Sequence, residues 1–565
     1  MFTVENVLER HFPQLPYKKA LTPMLRQLLK EKEFKDFEQQ HRHAKGLDFV
    51  EEVLNYFDFS YQVADREKER IPATGRVVII ANHPIGTLDG LALLKLVSEV
   101  RRDVKVVANA VLSELEPLRS MLCPVNNMAG STHKSQFQGI QECLHQNQAV
   151  IIFPSGEVSR LRPQGVRDTR WRSGFLRLAR QSKAPILPIR LEARNSALFY
   201  STSMLYKPLA TGLLVQEMFR HRHKKLQVHI GELIPQSQLE SIQALPKRTQ
   251  VKLFKKHLYR LGSHKRLPFK TETAIASRED RQVLLEVLGH CQLLGQTPDD
   301  MQIHLYHYQP DCPLMREIGR LREVAFRAVG EGTGRRRDVD EFDVHYLHLV
   351  LWDPKRLEIA GAYRLADANG LGREGLYSHT LFDYGQDMDP ILAQGLELGR
   401  SFVQPAYWGK RALDYLWLGI GAFLAQHPQY RYLFGPVSLS ANFPPAARDL
   451  MVYFYRAYFG QDNLSTHHHT PYQLDAQTLA ALTETFKGDD YKHDFTLLKD
   501  KLASMGVSVP TLYKQYAELC EPGGVKFLDF GVDPDFGDCV DGLVLVDVSQ
   551  LKTARRARYI DCHKP

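Results

Sequence analysis

Long apolar runs are the plainest deficit of this chain. No stretch reaches the roughly 20 uninterrupted apolar residues of a membrane-spanning helix, and mean hydropathy is negative. A spanning helix is therefore not expected. The opening residues, MFTVENVLERHF, contain acids and no apolar core, so a signal peptide is not expected either. Cysteine is sparse: seven residues, with no CxxC pair and no Cys/His cluster. That distribution argues against a structural zinc site, predicts no metal, and suits a reducing cytoplasm. No repeat relates the two halves, and the triplet His467-His468-His469 is too short to count as low complexity.

At 565 residues, 44% hydrophobic and 24% charged, the chain is a folded globular protein too long for one ordinary core. The net charge of +8 is modest for this length. Its distribution is more telling: Arg167-Asp168-Thr169-Arg170-Trp171-Arg172 and Arg220-His221-Arg222-His223-Lys224-Lys225 are dense basic runs in the first half. Such runs suit nucleic acid, anionic lipid headgroups, an acidic carrier protein, or a merely solvated surface. No nucleic-acid-binding motif surrounds them, so nucleic acid is not an expected partner.

Apolar periodicity divides the chain. Residues 1 to about 70 read as helical, through Leu25, Leu28, Leu29, Val50, Val53 and Leu54. Strand runs then alternate with helices: Val77–Ile80, Val104–Val107, Ala149–Phe153, Ile186–Ile189 and Leu226–Ile230. This is an α/β pattern, and it gives a first domain over residues 1–235. Residues 236–298 are polar and read as a connector. A second α/β pattern fills 299–565, with an amphipathic helix over 314–328 and a hairpin turning at Asp353-Pro354-Lys355. Further on come a strand near 396–403, a helix near 412–424 and a strand at 432–434.

The first chemical constellation follows the strand Val77–Ile80. Asn82-His83-Pro84-Ile85-Gly86-Thr87-Leu88-Asp89-Gly90 places a histidine at a strand mouth and a carboxylate at a helix start. An aspartate there can fix the imidazole tautomer and leave the other nitrogen to take a proton from a hydroxyl. Asp89 merely favouring the positive end of the helix is the competing reading. A second strand-end loop, Pro154-Ser155-Gly156-Glu157-Val158-Ser159-Arg160, offers backbone N–H groups and Arg160 to a phosphate. With Ala184-Pro185-Ile186-Leu187-Pro188-Ile189, these blocks resemble, in order, the signature of the PlsC-like lysophospholipid and glycerol-phosphate acyltransferases over residues 70–235. Five residues separate His83 from Asp89, where the family has four. The second block reads Phe-Pro-Ser-Gly-Glu, which displaces Glu157 by two positions and leaves its role open. Both departures are similar to the subfamily that acylates lyso-ornithine lipid. The resemblance implies catalysis by His83 and Asp89, and substrate contacts from Gly156, Glu157 and Arg160. The family's intermediate block has no clear counterpart near Cys123-Pro124-Val125-Asn126.

The carboxyl half carries Arg322 and Phe326 on the amphipathic helix, then Asp340 and Asp343, then Arg364-Leu365 ending a strand, then Glu397 and Arg400 on another. Taken singly, each is an ordinary charged residue; taken together, they can equally form a buried ion network. Their order resembles the GNAT-type acyltransferases that use acyl carrier protein, namely ornithine N-acyltransferases and, more distantly, acyl-homoserine lactone synthases. The resemblance covers residues 300–460. It implies a splayed strand pair that admits a phosphopantetheine arm, with Trp408–Arg411 near its phosphate. The family's glycine-rich loop is degenerate here, which fits a carrier protein better than coenzyme A. Glu397 is the candidate base or acceptor-orienting carboxylate, and Arg322, Phe326, Asp340, Asp343, Arg364 and Arg400 are candidate substrate contacts.

The pairing is similar to the bifunctional ornithine-lipid synthases. It implies N-acylation of ornithine with a 3-hydroxyacyl group by the second domain, then O-acylation of the lyso-lipid hydroxyl by the first. The implied partners are acyl carrier protein as acyl donor, ornithine, lyso-ornithine lipid and an anionic membrane surface, with no bound cofactor. The implied location is cytoplasmic, at the inner face of the cell membrane, attached through the basic runs with Trp171 and Phe175. A lysophospholipid or glycine-lipid acyltransferase, or a peripheral lipid-binding protein with one degenerate domain, stays open.

Overall fold

The computed structural model describes residues 22–24, 26–27, 29–109, 116–125, 134–163, 165–205, 207–461 and 464–563. The chain start, Leu25, Leu28 and Asn126 lie outside the described residues. Two compact units emerge, Met1–Ala274 and Ile275–Pro565.

In the first unit the strands are β1 (Ser60–Gln62), β2 (Val77–Ala81), β3 (Val104–Asn109), β4 (Leu122–Val125), β5 (Ala149–Ile152), β6 (Arg160–Arg162), β7 (Gly165–Arg167), β8 (Ile186–Glu192) and β9 (Lys225–Ile230). Seven form one sheet in the order β1-β9-β8-β2-β5-β3-β4, parallel except for the β8–β9 pair. β6 and β7 form a separate hairpin. β2 explains the arrangement. Every residue of Val77-Val78-Ile79-Ile80-Ala81 is buried, as expected of a central parallel strand covered on both faces. Val77, Ile79 and Ala81 pack into one hydrophobic cluster, and Val78 and Ile80 into the opposite one.

The helical reading of the first 70 residues holds for Glu31–Gln40 and Leu47–Tyr56, but β1 then joins the sheet beside β9. The connector reading of 236–298 fails. Leu239, Ile242, Val251, Phe254 and Leu258 are buried in the core of the first unit, so its helices Gln236–Ser241 and Lys247–Leu258 are structural parts of that unit. The remainder opens the second unit with the helix Arg281–Gly289 and a strand, β10 (Gln292–Gln296).

The second unit continues with β11 (Gln302–His307), β12 (Leu347–Asp353), β13 (Glu358–Asp367), β14 (Phe382–Tyr384), β15 (Gly395–Val403), β16 (Tyr432–Leu439), β17 (Thr466–His468), β18 (Val525–Asp533) and β19 (Cys539–Asp547). Its main sheet has eight strands in the order β10-β11-β12-β13-β15-β16-β19-β18, and β14 pairs with β17 apart from it. The expected helix over 314–328 is Pro313–Val329, and the expected hairpin is β12–β13. β15 and β16 are parallel, and they pair only over Gly395–Glu397 against Tyr432–Phe434. Beyond that point both strands continue unpaired with each other, to Val403 and Leu439. Gly435 sits where they part. Its φ is +156°, and a Cβ there would lie 2.1 Å from the Leu398 carbonyl oxygen, so glycine allows the approach. A bulge in the β13–β15 ladder, between Ala362 and Arg364, sits opposite Arg400, which has φ +46°.

Candidate active sites

β2 ends at Ala81, and the loop it feeds turns at Gly86 (φ +109°) into the helix Thr87–Ser98. Asp89, fully buried in the first turn, accepts hydrogen bonds through Oδ2 from the Ile85 N–H (2.8 Å) and the Gly86 N–H (3.2 Å). Its other oxygen lies 2.8 Å from His83 Nδ1. The helix-end role and the histidine partnership thus meet in one residue, with one oxygen for each. Burial disfavours the His83 imidazolium, but the Asp89 carboxylate outweighs it and holds the histidine above its ordinary value. The ring leans on Phe153 at the end of β5, with centroids 4.4 Å apart.

A second carboxylate, which the sequence reading passed over, braces this loop from behind. Asp168 is buried, and its Oδ1 accepts from the Ser159 hydroxyl (2.6 Å) and the His83 N–H (3.2 Å). Its Oδ2 accepts from Trp171 Nε1 (2.8 Å), and the Ser159 N–H donates to the His83 carbonyl (2.7 Å). Asp168 therefore ties the histidine loop to the loop Pro154–Arg160. An acid alone among the arginines of 167–172 was the available sequence signal. Trp171 and Phe175, expected at a membrane surface, are instead buried core residues. The indole goes inward because Asp168 takes its N–H. The second basic run is also less solvated than its charge suggests: His221 is buried, and Arg222 packs over Tyr56, Phe57 and Phe219.

His83, Gly156, Glu157 and Arg160 line one cavity of about 480 Å³, a size typical of ligand sites. Much of the remaining wall is apolar, including Leu91, Leu94, Val106, Leu118, Leu122 and Ile140. Gly156 turns the loop with φ +66°. Glu157 accepts from the Thr169 hydroxyl (2.6 Å), and Arg160 donates to Ser203 Oγ (2.7 Å) while lying over the Phe199 ring. Arg160 Nε keeps an unused donor among the described residues. The arrangement unites a base, a cation and an apolar cavity, the parts needed to move an acyl group onto a hydroxyl.

In the second unit the expected residues also converge. Arg322 donates to both oxygens of Asp343 (2.8 and 3.0 Å). Arg364 bridges Asp340 (2.7 Å) and Asp343 (3.3 Å), and Arg400 lies 3.4 Å from Asp338 and 3.6 Å from Asp340. Arg322, Asp343 and Arg364 are essentially inaccessible to solvent. Burial works against the Asp343 charge, but Arg322 and Arg364 overcome it and hold its carboxyl well below the usual range. His348, 3.4 Å from Arg322, is pushed down to about 4 by burial and then by that guanidinium. Phe326 joins through Phe536, an edge-on contact of 5.1 Å, and Arg400 lies over both Phe536 and Tyr377. Glu397 stands beside this network: it accepts from the Ser378 N–H (2.7 Å), the Tyr377 N–H (3.2 Å) and the Tyr346 hydroxyl. Burial raises its pKa. Arg364 Nε and Nη2 keep unused donors among the described residues, though the side chain is closed to solvent, and the partly exposed Arg400 keeps an unused Nε beside them. Trp408, Lys410 and Arg411 precede the helix Ala412–Gln426, which follows β15. Among the described residues no helix is long and apolar enough to cross a membrane, and no group of side chains is arranged to hold a metal ion.

Comparison with known proteins separates the same two regions. Residues 5–265 match a family described as Acyltransferase, and residues 321–418 match the Acetyltransferase (GNAT) domain. A glycine N(alpha)-acyltransferase of Phocaeicola vulgatus is 32% identical over 276 residues, covering 46% of this chain and 84% of that protein. A lyso-glycine lipid O-acyltransferase of Bacteroides thetaiotaomicron is 28% identical over 245 residues, covering 42% of this chain and 89% of that protein. An L-ornithine N(alpha)-acyltransferase of Rhodobacter capsulatus is 28% identical over 263 residues, covering 44% and 92%.

Proposed function

Because this chain belongs to the acyltransferases, with an acyltransferase domain ahead of a GNAT domain, we propose that it makes a two-chain amino-acid lipid in two steps. The second unit joins a 3-hydroxyacyl group to the α-amine of an amino acid, and the first unit esterifies the 3-hydroxyl. The observation that carries this reading is the likeness of one chain both to an N-acyltransferase and to a lyso-lipid O-acyltransferase, each matched over more than four fifths of its own length.

In the ester step, His83 Nε2 takes the proton of the 3-hydroxyl while Asp89 holds the other ring nitrogen. The oxygen attacks the thioester carbonyl of the acyl donor, the C–S bond breaks, and His83 returns the proton to the departing thiol. The apolar cavity holds an acyl chain, and Gly156, Glu157 and Arg160 hold the polar part of the acceptor. In the amide step, the pantetheine arm of an acyl carrier protein enters where β15 and β16 part. Glu397 receives the amine proton, since burial strengthens its affinity for one; the nitrogen attacks the thioester carbonyl, the C–S bond breaks, and the proton passes to the thiolate that leaves on the pantetheine arm. Arg400 binds the acceptor's carboxylate, with Arg364, Asp340, Asp343, Arg322 and Phe326 fixing it. The chain works at the inner membrane face, bound peripherally, where its single-chain intermediate partitions.

Ornithine is the acceptor that the motif order of the second unit supports. Glycine is a second reading, favoured by the glycine N(alpha)-acyltransferase likeness at 32% identity against 28% for the ornithine enzyme. Expression of His83→Ala in a host without such lipids tests the division of labour. The single-chain amide should accumulate without its ester, and a normal two-chain product would overturn the assignment of the ester step.

A further inference from the structure

One helix of the first unit leaves apolar side chains in solvent. Ala197–Leu205 (Ala-Leu-Phe-Tyr-Ser-Thr-Ser-Met-Leu) carries no charged residue, and from Asn195 to Gln216 the sequence has one charge, Lys207. Phe199 and Tyr200 turn inward with Val158 to form a small hydrophobic cluster. On the outside, Leu198 is 52% exposed and Met204 73%. Single exposed apolar residues are ordinary, but a second element with an exposed apolar residue packs against this helix. The β6–β7 hairpin joins the helix through Arg160, which donates to Ser203 and lies over Phe199, and its Leu161 is 48% exposed.

Exposed cations lie in the hairpin and follow it in the chain. Arg162 follows Leu161 in the hairpin, and Arg170 and Arg172 follow in the next segment; all three are exposed, and none has a carboxylate partner among the described residues. The face also adjoins the catalytic cavity, because Arg160, Arg172 and Val158 line that cavity. Exposed apolar side chains with no acid among them, accompanied by exposed guanidinium groups in the adjoining segments, fit a surface that is apolar within and anionic without.

We propose that Leu161, Leu198 and Met204 insert into an anionic bilayer, with Arg162, Arg170 and Arg172 at its headgroups, so that the mouth of the cavity opens onto the membrane. This rests on the peripheral membrane reading given above and specifies the surface responsible. A lipid-borne hydroxyl then reaches His83 by lateral movement within the bilayer, without crossing water. The face replaces Trp171 and Phe175, which are buried in the core.

The full chain, sedimented with vesicles of phosphatidylcholine containing phosphatidylglycerol or lacking it, tests the proposal. The wild type should bind the anionic vesicles and release as salt rises. Leu198→Glu with Met204→Glu should weaken the partition coefficient about tenfold or more, because two apolar contacts become charged at the interface. Leu198→Trp should strengthen binding and place a new indole in brominated lipid, where its emission is quenched. Binding by the wild type that the double variant retains, with no quenching of the added indole, would overturn this surface and leave the peripheral reading standing. No binding of the wild type to anionic vesicles would overturn both.

Discussion

Replacing Asp89 by asparagine separates the charge of the His83 partner from its shape. In the folded protein Asp89 Oδ2 already receives the Ile85 and Gly86 N–H groups. The asparagine carbonyl is expected to keep that place, because two backbone donors select an acceptor. Its NH2 then faces His83 Nδ1, which must become the acceptor, and the ring proton moves to Nε2. That is the atom the ester step needs free, so the imidazole is left in the wrong tautomer. Losing a general base with its tautomer partner costs about 10³–10⁴-fold in turnover, or about 4–5 kcal/mol of barrier. Helix capping survives, so the thermal midpoint should shift by only a few degrees. The pH profile supplies an independent sign. Wild-type ester formation should fall as acidification protonates His83 through its raised pKa. Without Asp89, only the Asp168 carboxylate still opposes burial and the histidine falls, so the acidic limb of the residual activity should move to lower pH. Ester and amide formation are assayed in one reaction, the amide serving as internal control. Ester formation within about tenfold of wild type, or equal loss of both products, would refute the reasoning.

Asp168→Asn should reduce ester formation but not amide formation, because either amide orientation turns an NH2 toward the His83 N–H or the Trp171 N–H, a mismatch of about 1–3 kcal/mol. An acidic limb shifted to lower pH, which mere loosening would not produce, should accompany it. Asp343→Ala should destabilise the second unit by about 3–5 kcal/mol, since Arg322 and Arg364 lose a buried partner. In the wild type, the stability Asp343 contributes is present above its unfolded pKa of about 4 and lost as pH falls through its depressed folded value; an acid titration of the unfolding free energy would check this. A fragment of residues 275–565 should make the amide product alone, and Glu397→Gln in it should lose most of that product while keeping its thermal transition. An unchanged product yield would remove Glu397 as the base. A fragment starting at 296 should fold poorly, because it lacks the helix Arg281–Gly289 and nearly all of β10.

Legibility in the sequence followed the range of the interaction. β2 and β5 were readable because central parallel strands are continuous apolar runs, and His83 with Asp89 because both belong to one strand-to-helix turn. Asp168 lies 85 residues beyond His83, and no local pattern announces a contact made by tertiary folding. The helix Lys247–Leu258 reads as polar because Lys247, Arg248, Lys252 and Lys256 lie exposed and two of its buried residues, Gln250 and His257, are polar; its buried apolar residues Val251, Phe254 and Leu258 keep helical spacing but are few. β10 was missed because an edge strand needs little apolar content, and Gln292-Leu293-Leu294-Gly295-Gln296 has little. In the second unit the order of the charged residues survived, but Asp338, Tyr346 and Ser378, which complete their contacts, carry no signature of their own.

The central claim is that one chain forms both an amide and an ester on the same lipid. Its most direct test is mass spectrometry of lipids extracted from a host that makes no amino-acid lipids, expressing this full chain and fed labelled ornithine or labelled glycine. A labelled two-chain product, whose mild alkaline hydrolysis releases one fatty acid and leaves the 3-hydroxyacyl amide, is the result expected. Lipids carrying no label from either amino acid, with the protein folded and expressed, would contradict the account.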